Sequence, residues 1–305
     1  MQKMWYSHGK LLLSGEYLVM EGAKAFALPL KQGQNLLLEK SADTSRLSWN
    51  AFQRDGNWFK AVFETEKFAV VETDNQKLAG NLSRILQAAR QLSKSFLTDG
   101  IGFSVETNLD FNPEFGFGSS STLISNLAWW ADVSPFELLR LTFGGSGYDI
   151  ACARIDSPLF YQLTDNGPRI EELNFKPDFR NQVYFVYLGK KQKSTESIKS
   201  FKSSAVFGKE DVETITHISE QLVVTKSLQD FEHLLNEHEK VMAAILKRPT
   251  VKSQLFSDYQ GTVKSLGGWG GDFVLVTSNK PDSDFRSDMK KRGFPIVFAY
   301  DELVL

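Results

Sequence analysis

Short runs of apolar residues separated by turn formers dominate the first sixty residues of the chain. These runs are rich in Leu, Phe or Trp, and their spacing predicts strands over 10–13, 35–40, 46–50 and 58–63. The pattern then changes to a helical period, in which one face carries Leu78, Leu82, Ile85, Leu86, Ala89, Leu92 and Phe96. The first part of the chain is therefore predicted to contain several strands followed by a long helix.

The rest of the chain mixes strands and helices. The predicted strands are 101–107, 159–163, 183–188, 273–276 and 296–300. The predicted helices are 122–130, one after Ser134-Pro135, one after Ser194, 231–246 and 283–291. A polar stretch rich in turn formers, 164–180, indicates a domain boundary. The pattern predicts an α+β protein with two domains, residues 1–170 and 171–305.

The charge balance excludes broad electrostatic attraction of nucleic acid or of an acidic membrane. The chain carries 35 basic and 37 acidic residues, a formal net charge of −2, so no global positive field gathers polyanions. We therefore expect neither nucleic acid nor a membrane as a partner. Any site for an anion must be local.

The N-terminal sequence and the cysteine count favour a cytoplasmic protein. The apolar run 11–13 is too short for a signal peptide, and no segment approaches the length of a membrane span. The single cysteine, Cys152, excludes an internal disulfide and a metal site built from several cysteines. A reducing compartment fits this count.

Residues 116–121, Gly-Phe-Gly-Ser-Ser-Ser, stand immediately before a predicted helix. Glycine lets the backbone approach a ligand closely, and a helix start offers unpaired N–H groups and partial positive charge to an anion. The hydroxyls add donors, and a hydroxyl can also bind Mg²⁺. Taken alone, the segment is either a phosphate cradle or a plain turn, because neither the GxxxxGK[ST] nor the GxGxxG spacing is present.

Two further glycine clusters accompany residues that can carry chemistry. The cluster 144–147 leads into Asp149, which either binds Mg²⁺, takes a proton from an attacking hydroxyl, or caps the following segment. Residues 267–272, Gly-Gly-Trp-Gly-Gly-Asp, indicate either close backbone contact or a flexible hairpin. Lys10, near a strand start, either reaches a phosphate or is a solvated edge lysine.

Two histidines lie on the predicted helix 231–246. His233 and His238 are five residues apart, which is not the spacing of an H-E-x-x-H metal site. We interpret both as ordinary helix residues.

In their order along the chain, these segments resemble the GHMP kinase superfamily, named for galactokinase, homoserine kinase, mevalonate kinase and phosphomevalonate kinase. That family opens with P-G-K and G-E-[HY], carries a G-L-G-S-S loop, and ends with K-x-x-G-A-G-G-G. The matching segments are His8-Gly9-Lys10, Gly15-Glu16-Tyr17, Gly116-Phe117-Gly118-Ser119-Ser120 and residues 264–271. The departures are His8 for Pro, Phe117 for Leu and Trp269 for Gly, and a bulky Trp269 could crowd a ligand.

The resemblance implies an N-terminal α+β domain, a ferredoxin-like C-terminal domain and an active site between them. It also implies ATP and Mg²⁺ as cofactors and a small anionic substrate, and it leaves a homodimer open. The catalytic residues that it implies are Asp149 and Lys10. The residues that would wrap the ATP phosphates are Gly116, Phe117, Gly118, Ser119, Ser120 and Ser121. The Mg²⁺ ligands would be Ser120 and Glu137, and Glu137 matches with a spacing that is off by about one residue. The residues that would bind the substrate are Lys193, Ser194, Thr195, Gly268 and Gly270.

Details of the motifs favour a kinase of the mevalonate pathway within the superfamily. Gly15-Glu16-Tyr17 is similar to phosphomevalonate kinases, 147–152 resembles their G-D-L-A-C segment, and 270–272 resembles their G-G-G-D. The expected reaction is phosphoryl transfer from ATP to 5-phosphomevalonate or mevalonate. The alternatives are a sugar or homoserine kinase, a decarboxylase of the same superfamily, and a member that binds nucleotide or metabolite without turnover.

Overall fold

A computed structural model describes residues 2–43, 45–98, 100–190 and 194–305, without the side chains of Ser194 and Thr195. The strands are β1 (Lys3–Ser14), β2 (Ala25–Ser41), β3 (Arg46–Gln53), β4 (Gly56–Glu64), β5 (Val70–Thr73), β6 (Gly102–Leu109), β7 (Leu159–Thr164), β8 (Gly167–Glu172), β9 (Val183–Tyr187), β10 (Val263–Leu266), β11 (Phe273–Thr277) and β12 (Val297–Ala299). The helices are α1 (Gln76–Leu92), α2 (Ser119–Ala131), α3 (Pro135–Thr142), α4 (Tyr148–Cys152), α5 (Ser194–Ser204), α6 (Lys209–Val224), α7 (Leu228–Leu246), α8 (Val251–Leu255), α9 (Asp282–Lys291) and α10 (Tyr300–Leu303). This content confirms the predicted α+β class.

The chain forms two compact units. Unit 1 comprises Met1–Gly9, Gln32–Pro113 and Phe117–Arg154, and unit 2 comprises Lys10–Lys31, Glu114–Gly116 and Ile155–Leu305. Strands β1 and β2 each contribute residues to both units. The division into domains 1–170 and 171–305 stays a prediction, and the polar stretch on which it rests contains strand β8.

Unit 1 is built on a sheet with the strand order β5-β4-β3-β6-β2. Strands β3 and β6 are parallel, and the other neighbours are antiparallel. Strand β2 pairs with β6 from Gln34 to Ser41, and its alternation places Leu36 and Leu38 in the core. Helices α1, α2 and α3 supply the opposing apolar side chains Leu82, Ile85, Leu86, Ile124, Leu127 and Leu138.

The ends of helix α1 are set by local interactions. The side chain of Asn75 caps the helix by accepting a hydrogen bond from the Leu78 N–H at 3.1 Å. The helix ends at Leu92, four residues before the predicted end, and Ser93 is already extended. Phe96 is nevertheless buried, with its ring 5.0 Å from that of Trp130. Phe96 therefore fits the apolar period of α1 and is buried, but it lies in the turn after the helix.

Unit 2 contains an antiparallel four-stranded sheet in the order β10-β11-β9-β12. Along the chain, β9 is followed by helices α5 to α8, then β10, β11, α9 and β12. This is the βαββαβ succession with the strand order of a ferredoxin-like fold, which confirms that part of the prediction. The core of this sheet includes Val186, Val274, Val276, Phe285 and Met289.

Two of the strands that the sequence analysis missed lack a clear apolar period. Strand β8, Gly-Pro-Arg-Ile-Glu-Glu, pairs with β7 and has only exposed or half-buried residues. Strand β10, Val-Lys-Ser-Leu, is buried at all four positions although two of them are polar. Burial of polar residues depends on partners elsewhere in the chain, so no local pattern predicts it.

Replacement of the α1 cap, Asn75→Ala, is expected to lower the free energy of unfolding by about 1 kcal/mol, because the Leu78 N–H loses its acceptor. Urea denaturation followed by circular dichroism measures this change. The control Asn75→Asp keeps an oxygen at the cap and should stay within about 0.5 kcal/mol of the wild type. Equal stability of Asn75→Ala and the wild type would show that this cap contributes nothing.

Candidate functional site

The Gly/Ser segment forms the first turn of helix α2. The helix begins at Ser119, three residues before the predicted start, and Gly118 precedes it with a φ of 90°. The Gly118 carbonyl accepts the N–H groups of Ser121 and Thr122, both at 3.0 Å. By helix geometry, the N–H groups of Ser119 and Ser120 point out of the helix start without a partner within the helix. Ser120 is exposed and Ser121 is buried, so the turn presents backbone donors and a hydroxyl to solvent.

A buried polar network fixes the position of helix α2 within unit 1. Ser7 Oγ donates to Asn126 Oδ1 at 2.8 Å, and Asn126 Nδ2 donates to the Gln34 carbonyl at 2.9 Å. Thr122 Oγ1 donates to Gln34 Oε1 at 2.8 Å. All four residues are buried. Displacing α2 would leave these polar groups without partners, at a cost of about 1–3 kcal/mol for each group.

Sequence analysis did not identify Ser7, Gln34 or Asn126 as part of the site. Ser7 stands beside the His8-Gly9-Lys10 motif, and Asn126 lies on the otherwise apolar predicted helix 122–130. Asn126 could have been found from its position, because a polar residue on an apolar, buried helix needs a hydrogen-bond partner.

The structure brings Asp149 into contact with the Gly/Ser turn. Gly147, with a φ of 91°, leads into the five-residue helix α4, and Asp149 lies in its first turn. Ser121 Oγ donates to Asp149 Oδ2, and the Ile150 N–H donates to Asp149 Oδ1 at 3.0 Å. The cap residue of α4 is Gly147, so the Asp149 carboxylate does not cap the helix; it accepts from the next N–H and from the serine of α2.

Glycine at position 9 is required by close packing in unit 1. A Cβ atom at Gly9 would lie 2.9 Å from the Gln32 carbonyl oxygen and 3.2 Å from that of Phe117. The first motif and the Gly/Ser segment are therefore packing partners. Phe117 itself is fully buried, with its ring 5.5 Å from Phe111, so its side chain belongs to the core, and its predicted phosphate contact stays a prediction.

Lys10 and Asp272 both lie at Gly116 in unit 2. Lys10 Nζ donates to the Gly116 carbonyl at 2.8 Å. A Cβ atom at Gly116 would lie 2.5 Å from Asp272 Oδ2, and Gly116 has a φ of 68°, so glycine is required here for two reasons. The residue that opens the Gly/Ser segment thus has a cation and a carboxylate beside it.

The side chain of Trp269 is part of the interior of unit 2. It is 4% exposed, and its indole N–H donates to the Pro249 carbonyl at 3.1 Å. The backbone N–H of Trp269 donates to the Tyr17 hydroxyl at 3.0 Å. We had expected that this bulky side chain could crowd a ligand. The structure buries it instead, and these two hydrogen bonds hold it in the interior.

Glu16, Lys264 and His238 form a buried charged cluster in unit 2. Lys264 Nζ donates to Glu16 Oε1 at 2.5 Å and to the Ser265 carbonyl at 2.8 Å. His238 Nε2 lies 3.0 Å from Glu16 Oε2 and accepts the Gly15 N–H at 3.2 Å. Interpreting His238 as an ordinary helix residue was incomplete, because it is fully buried against a carboxylate.

Burial and charge shift the pKa values within this cluster in different directions. Burial alone would raise the pKa of Glu16, but Lys264 and His238 hold it below its usual value. Burial, together with the charge of Lys264, lowers the pKa of His238. Burial raises the pKa of Glu239 to about 8, although Lys264 acts against the shift. Near neutral pH, the cluster is therefore an ion pair beside a neutral histidine and a protonated glutamate.

The contacts of the remaining predicted site residues do not test their predicted roles. Glu137 is exposed in the first turn of α3, where its N–H donates to Ser134 Oγ at 3.4 Å, and this confirms Ser134 as the cap. Gly268 accepts the Gly271 N–H at 3.2 Å. Lys193 and the side chains of Ser194 and Thr195 lie outside the described residues. The metal role of Glu137 and the substrate roles of residues 193–195, Gly268 and Gly270 stay predictions.

The described parts of the chain show neither a cluster of metal ligands nor a membrane-spanning helix. Residues 2–43, 45–98, 100–190 and 194–305 contain no group of three or more His, Cys, Asp or Glu side chains arranged to hold a metal ion. Among the helices within these same ranges, none has the length and apolar character needed to cross a membrane.

The fold is shared with solved structures of small-molecule kinases. One is L. major mevalonate kinase in complex with R-mevalonate, with a TM-score of 0.67 and 16% identity over 97% of this chain and 94% of that chain. Another is Streptococcus pneumoniae phosphomevalonate kinase in complex with phosphomevalonate and AMPPNP, with a TM-score of 0.69 and 16% identity over 97% and 99%. A third is Lactococcus lactis galactokinase complexed with galactose, with a TM-score of 0.71 and 12% identity over 97% and 92%.

Galactokinase, mevalonate kinase and phosphomevalonate kinase are three of the four enzymes for which the GHMP superfamily is named. The predicted resemblance is therefore confirmed at the level of the fold, over nearly the whole chain. No model of a protein family and none of the curated proteins matches the sequence.

The protonated state of Glu239 predicts a fall in stability with rising pH. Its pKa is raised from 4.5 to about 8, so between these values the folded state keeps a proton that the unfolded state has lost. The free energy of unfolding should therefore fall by up to about 1 kcal/mol per pH unit from this group, less steeply as the pH approaches 8. Glu239→Gln, which resembles the protonated acid, should remove that slope in urea denaturation between pH 6.5 and 8.

The control is Glu237→Gln on the same helix. The hydrogen bond from Lys240 lowers the pKa of Glu237, so its carboxylate is ionised in both states over this pH range. This control should keep the slope of the wild type. Parallel pH profiles for Glu239→Gln and the wild type would contradict the assignment.

Proposed function

We propose that this chain is an ATP-dependent kinase of the GHMP superfamily that acts in the cytoplasm on a small anionic metabolite. The observation that carries the proposal is the first turn of α2, where Ser120 is exposed beside backbone donors and Ser121 holds Asp149. The kinase fold over nearly the full length of the chain supports this function. The fold alone does not specify a substrate, because one fold hosts several functions.

The residues present fit the phosphates of ATP. Helix α2 runs for 13 residues and begins after a glycine with positive φ, so its N-terminus combines oriented N–H groups with partial positive charge. The positive charge of Lys10, 2.8 Å from the Gly116 carbonyl, strengthens the positive potential at the start of the segment. Asp272, whose carboxylate also lies beside Gly116, carries the opposite charge.

Three side chains on α2, α3 and α4 have the donor chemistry that Mg²⁺ prefers. Ser120, Asp149 and Glu137 carry the hydroxyl and carboxylate oxygens that this ion prefers, and we assign Ser120 and Glu137 as its ligands. When bound, the ion would neutralise charge on the phosphates. ATP binding by the backbone of residues 116–121 does not depend on this assignment.

Asp149 is the residue that we expect to meet the acceptor. Its Oδ2 is held by Ser121 and its Oδ1 by the Ile150 N–H, so the carboxylate has a defined orientation. For a hydroxyl acceptor, Asp149 would accept the proton as the new bond forms. For a phosphate acceptor, already ionised, no strong base is needed, and Asp149 would orient the groups around it.

Mevalonate or 5-phosphomevalonate is the acceptor class that we favour. Structures with this fold include a mevalonate kinase with R-mevalonate and a phosphomevalonate kinase with phosphomevalonate. The Gly15-Glu16-Tyr17 and Gly270-Gly271-Asp272 segments favour the second of these. Lys193, Ser194, Thr195, Gly268 and Gly270 are proposed to contact this acceptor. A sugar kinase is the second candidate, because the galactokinase has the same fold.

A panel of acceptors tests the proposal. We expect ADP release from ATP to rise at least about tenfold over the acceptor-free rate with 5-phosphomevalonate or mevalonate, because phosphoryl transfer needs an aligned acceptor. Galactose and homoserine serve as the comparison acceptors: stimulation by galactose alone would favour the sugar kinase, and stimulation by homoserine alone would favour a homoserine kinase. Carbon dioxide release would indicate a decarboxylase. No stimulation by any acceptor, with the protein folded, would overturn kinase activity.

Replacement of Asp149 tests its role directly. With a hydroxyl acceptor, Asp149→Ala should lower kcat by about 100-fold or more, because positioned bases contribute 10²–10⁴-fold. With a phosphate acceptor the loss should be smaller, about tenfold. Asp55→Asn, in the exposed turn between β3 and β4, is the control and should turn over normally. Near-normal turnover of Asp149→Ala would remove this residue from the mechanism.

A further inference from the structure

The backbone at Tyr17 adopts a strained conformation. Its φ is 62° and its ψ is −50°, and the Leu18 N–H donates to the Glu16 carbonyl at 2.7 Å. This combination is a γ-turn with positive φ at its central residue, a rare geometry for a residue with a side chain. Such a conformation persists only where the surrounding structure determines it. The contacts of the turn should therefore explain why it is kept.

Two neighbouring residues of this turn contact the same distant segment at two points. The carboxylate of Glu16 is paired with Lys264, and the hydroxyl of Tyr17 accepts the backbone N–H of Trp269 at 3.0 Å. Lys264 and Trp269 stand at the two ends of residues 264–269. The glycine-rich segment is thus held on both sides of Gly267 and Gly268 by one turn.

The turn is itself immobilised by packing within unit 2. A Cβ atom at Gly15 would lie 2.8 Å from Ala25, so strand β2 presses directly on the backbone. The Tyr17 ring stacks on Phe201 of α5, with centroids 5.1 Å apart and an interplanar angle of 15°. The ring of Tyr17 packs on Phe201 and its hydroxyl binds the Trp269 N–H, so a fixed side chain holds the backbone of Trp269 in place.

The segment that the turn holds has little rigidity of its own. Gly267 and Gly270 have φ values of 69° and 82°, and Asp272 has a φ of 50°. Four glycines in five positions give such a segment many alternative conformations. Asp272 ends the segment with its carboxylate against Gly116, where the Gly/Ser segment begins. The segment therefore depends on contacts from outside it to keep a single conformation.

We propose that the Gly15-Glu16-Tyr17 turn is a clamp that positions the glycine-rich segment 267–271, with Tyr17 as its positioning residue through the Trp269 N–H. In the context of the proposed kinase, on which this part rests, the clamp presents Gly268 and Gly270 to the acceptor. Trp269 is thus held twice: its backbone N–H donates to Tyr17, and its indole N–H donates to the Pro249 carbonyl. The departure of Trp269 from the family pattern thus supplies an anchor for the clamp.

The test compares Tyr17→Phe with Tyr259→Phe in the full-length protein. Tyr17→Phe keeps the ring and removes the acceptor of the Trp269 N–H, whereas Tyr259→Phe removes a hydroxyl that donates to the Thr277 carbonyl at 2.7 Å. In hydrogen–deuterium exchange, Tyr17→Phe should speed exchange of the amides in 267–271 by about three- to tenfold, the effect of one net hydrogen bond. Tyr259→Phe should leave these amides unchanged.

A kinetic measurement adds a readout that a general loss of stability would not produce. Tyr17→Phe should raise KM for the acceptor about three- to tenfold and leave KM for ATP unchanged, because only one loop is loosened. If the wild type shows no phosphoryl transfer, the proposed function fails, and the exchange measurement still decides the clamp. Wild-type exchange over 267–271 in Tyr17→Phe would overturn the clamp whatever the activity.

A second variant covers the case in which Tyr17→Phe does not fold. Phe201→Leu removes the stacked ring and keeps the Tyr17 hydroxyl, so it loosens the clamp from its other side. Faster exchange over 267–271 in this variant supports the clamp, and unchanged exchange overturns it.

Discussion

The start of helix α2 is the constraint on which the rest of the candidate site depends. Its first N–H groups cannot be satisfied within the helix, so they require water or an anion. The helix cannot turn away from this position, because Ser7, Gln34 and Asn126 bury polar groups that only this placement satisfies. The candidate anion site is therefore a consequence of helix geometry combined with burial, and Asp149 joins it through Ser121.

Close packing explains why glycine motifs accompany this helix start. Gly9 lies against the carbonyls of Gln32 and Phe117, and Gly116 lies against the Asp272 carboxylate. Neither position has room for a side chain. Segments that look like separate chemical motifs along the chain are thus partners in packing, and their spacing reflects which strands and loops meet.

In unit 2, distant elements are joined by buried charged side chains. The ion pair of Glu16 with Lys264 joins the end of β1 to β10, and Nε2 of the neutral His238 on α7 lies 3.0 Å from the same carboxylate. Charges removed from water need partners, so a change at one of these residues would leave another uncompensated. Glu239 avoids the same difficulty by keeping its proton, since burial raises its pKa to about 8. The cluster therefore holds the residues that lead into the glycine-rich segment.

Local patterns in the sequence determined the α+β order of elements, the Gly/Ser segment at the start of α2 and the Ser134 cap, because each depends on neighbouring residues. The same holds for the resemblance from which the kinase fold was predicted. Only the tertiary structure decided the partners of Asp149, Lys10 and His238, and the end of α1 at Leu92. Glu16 and Lys264 are 248 residues apart in sequence, and no periodicity relates them. Their pairing depends on which strands meet, because a buried charge is stable only where the fold supplies its partner.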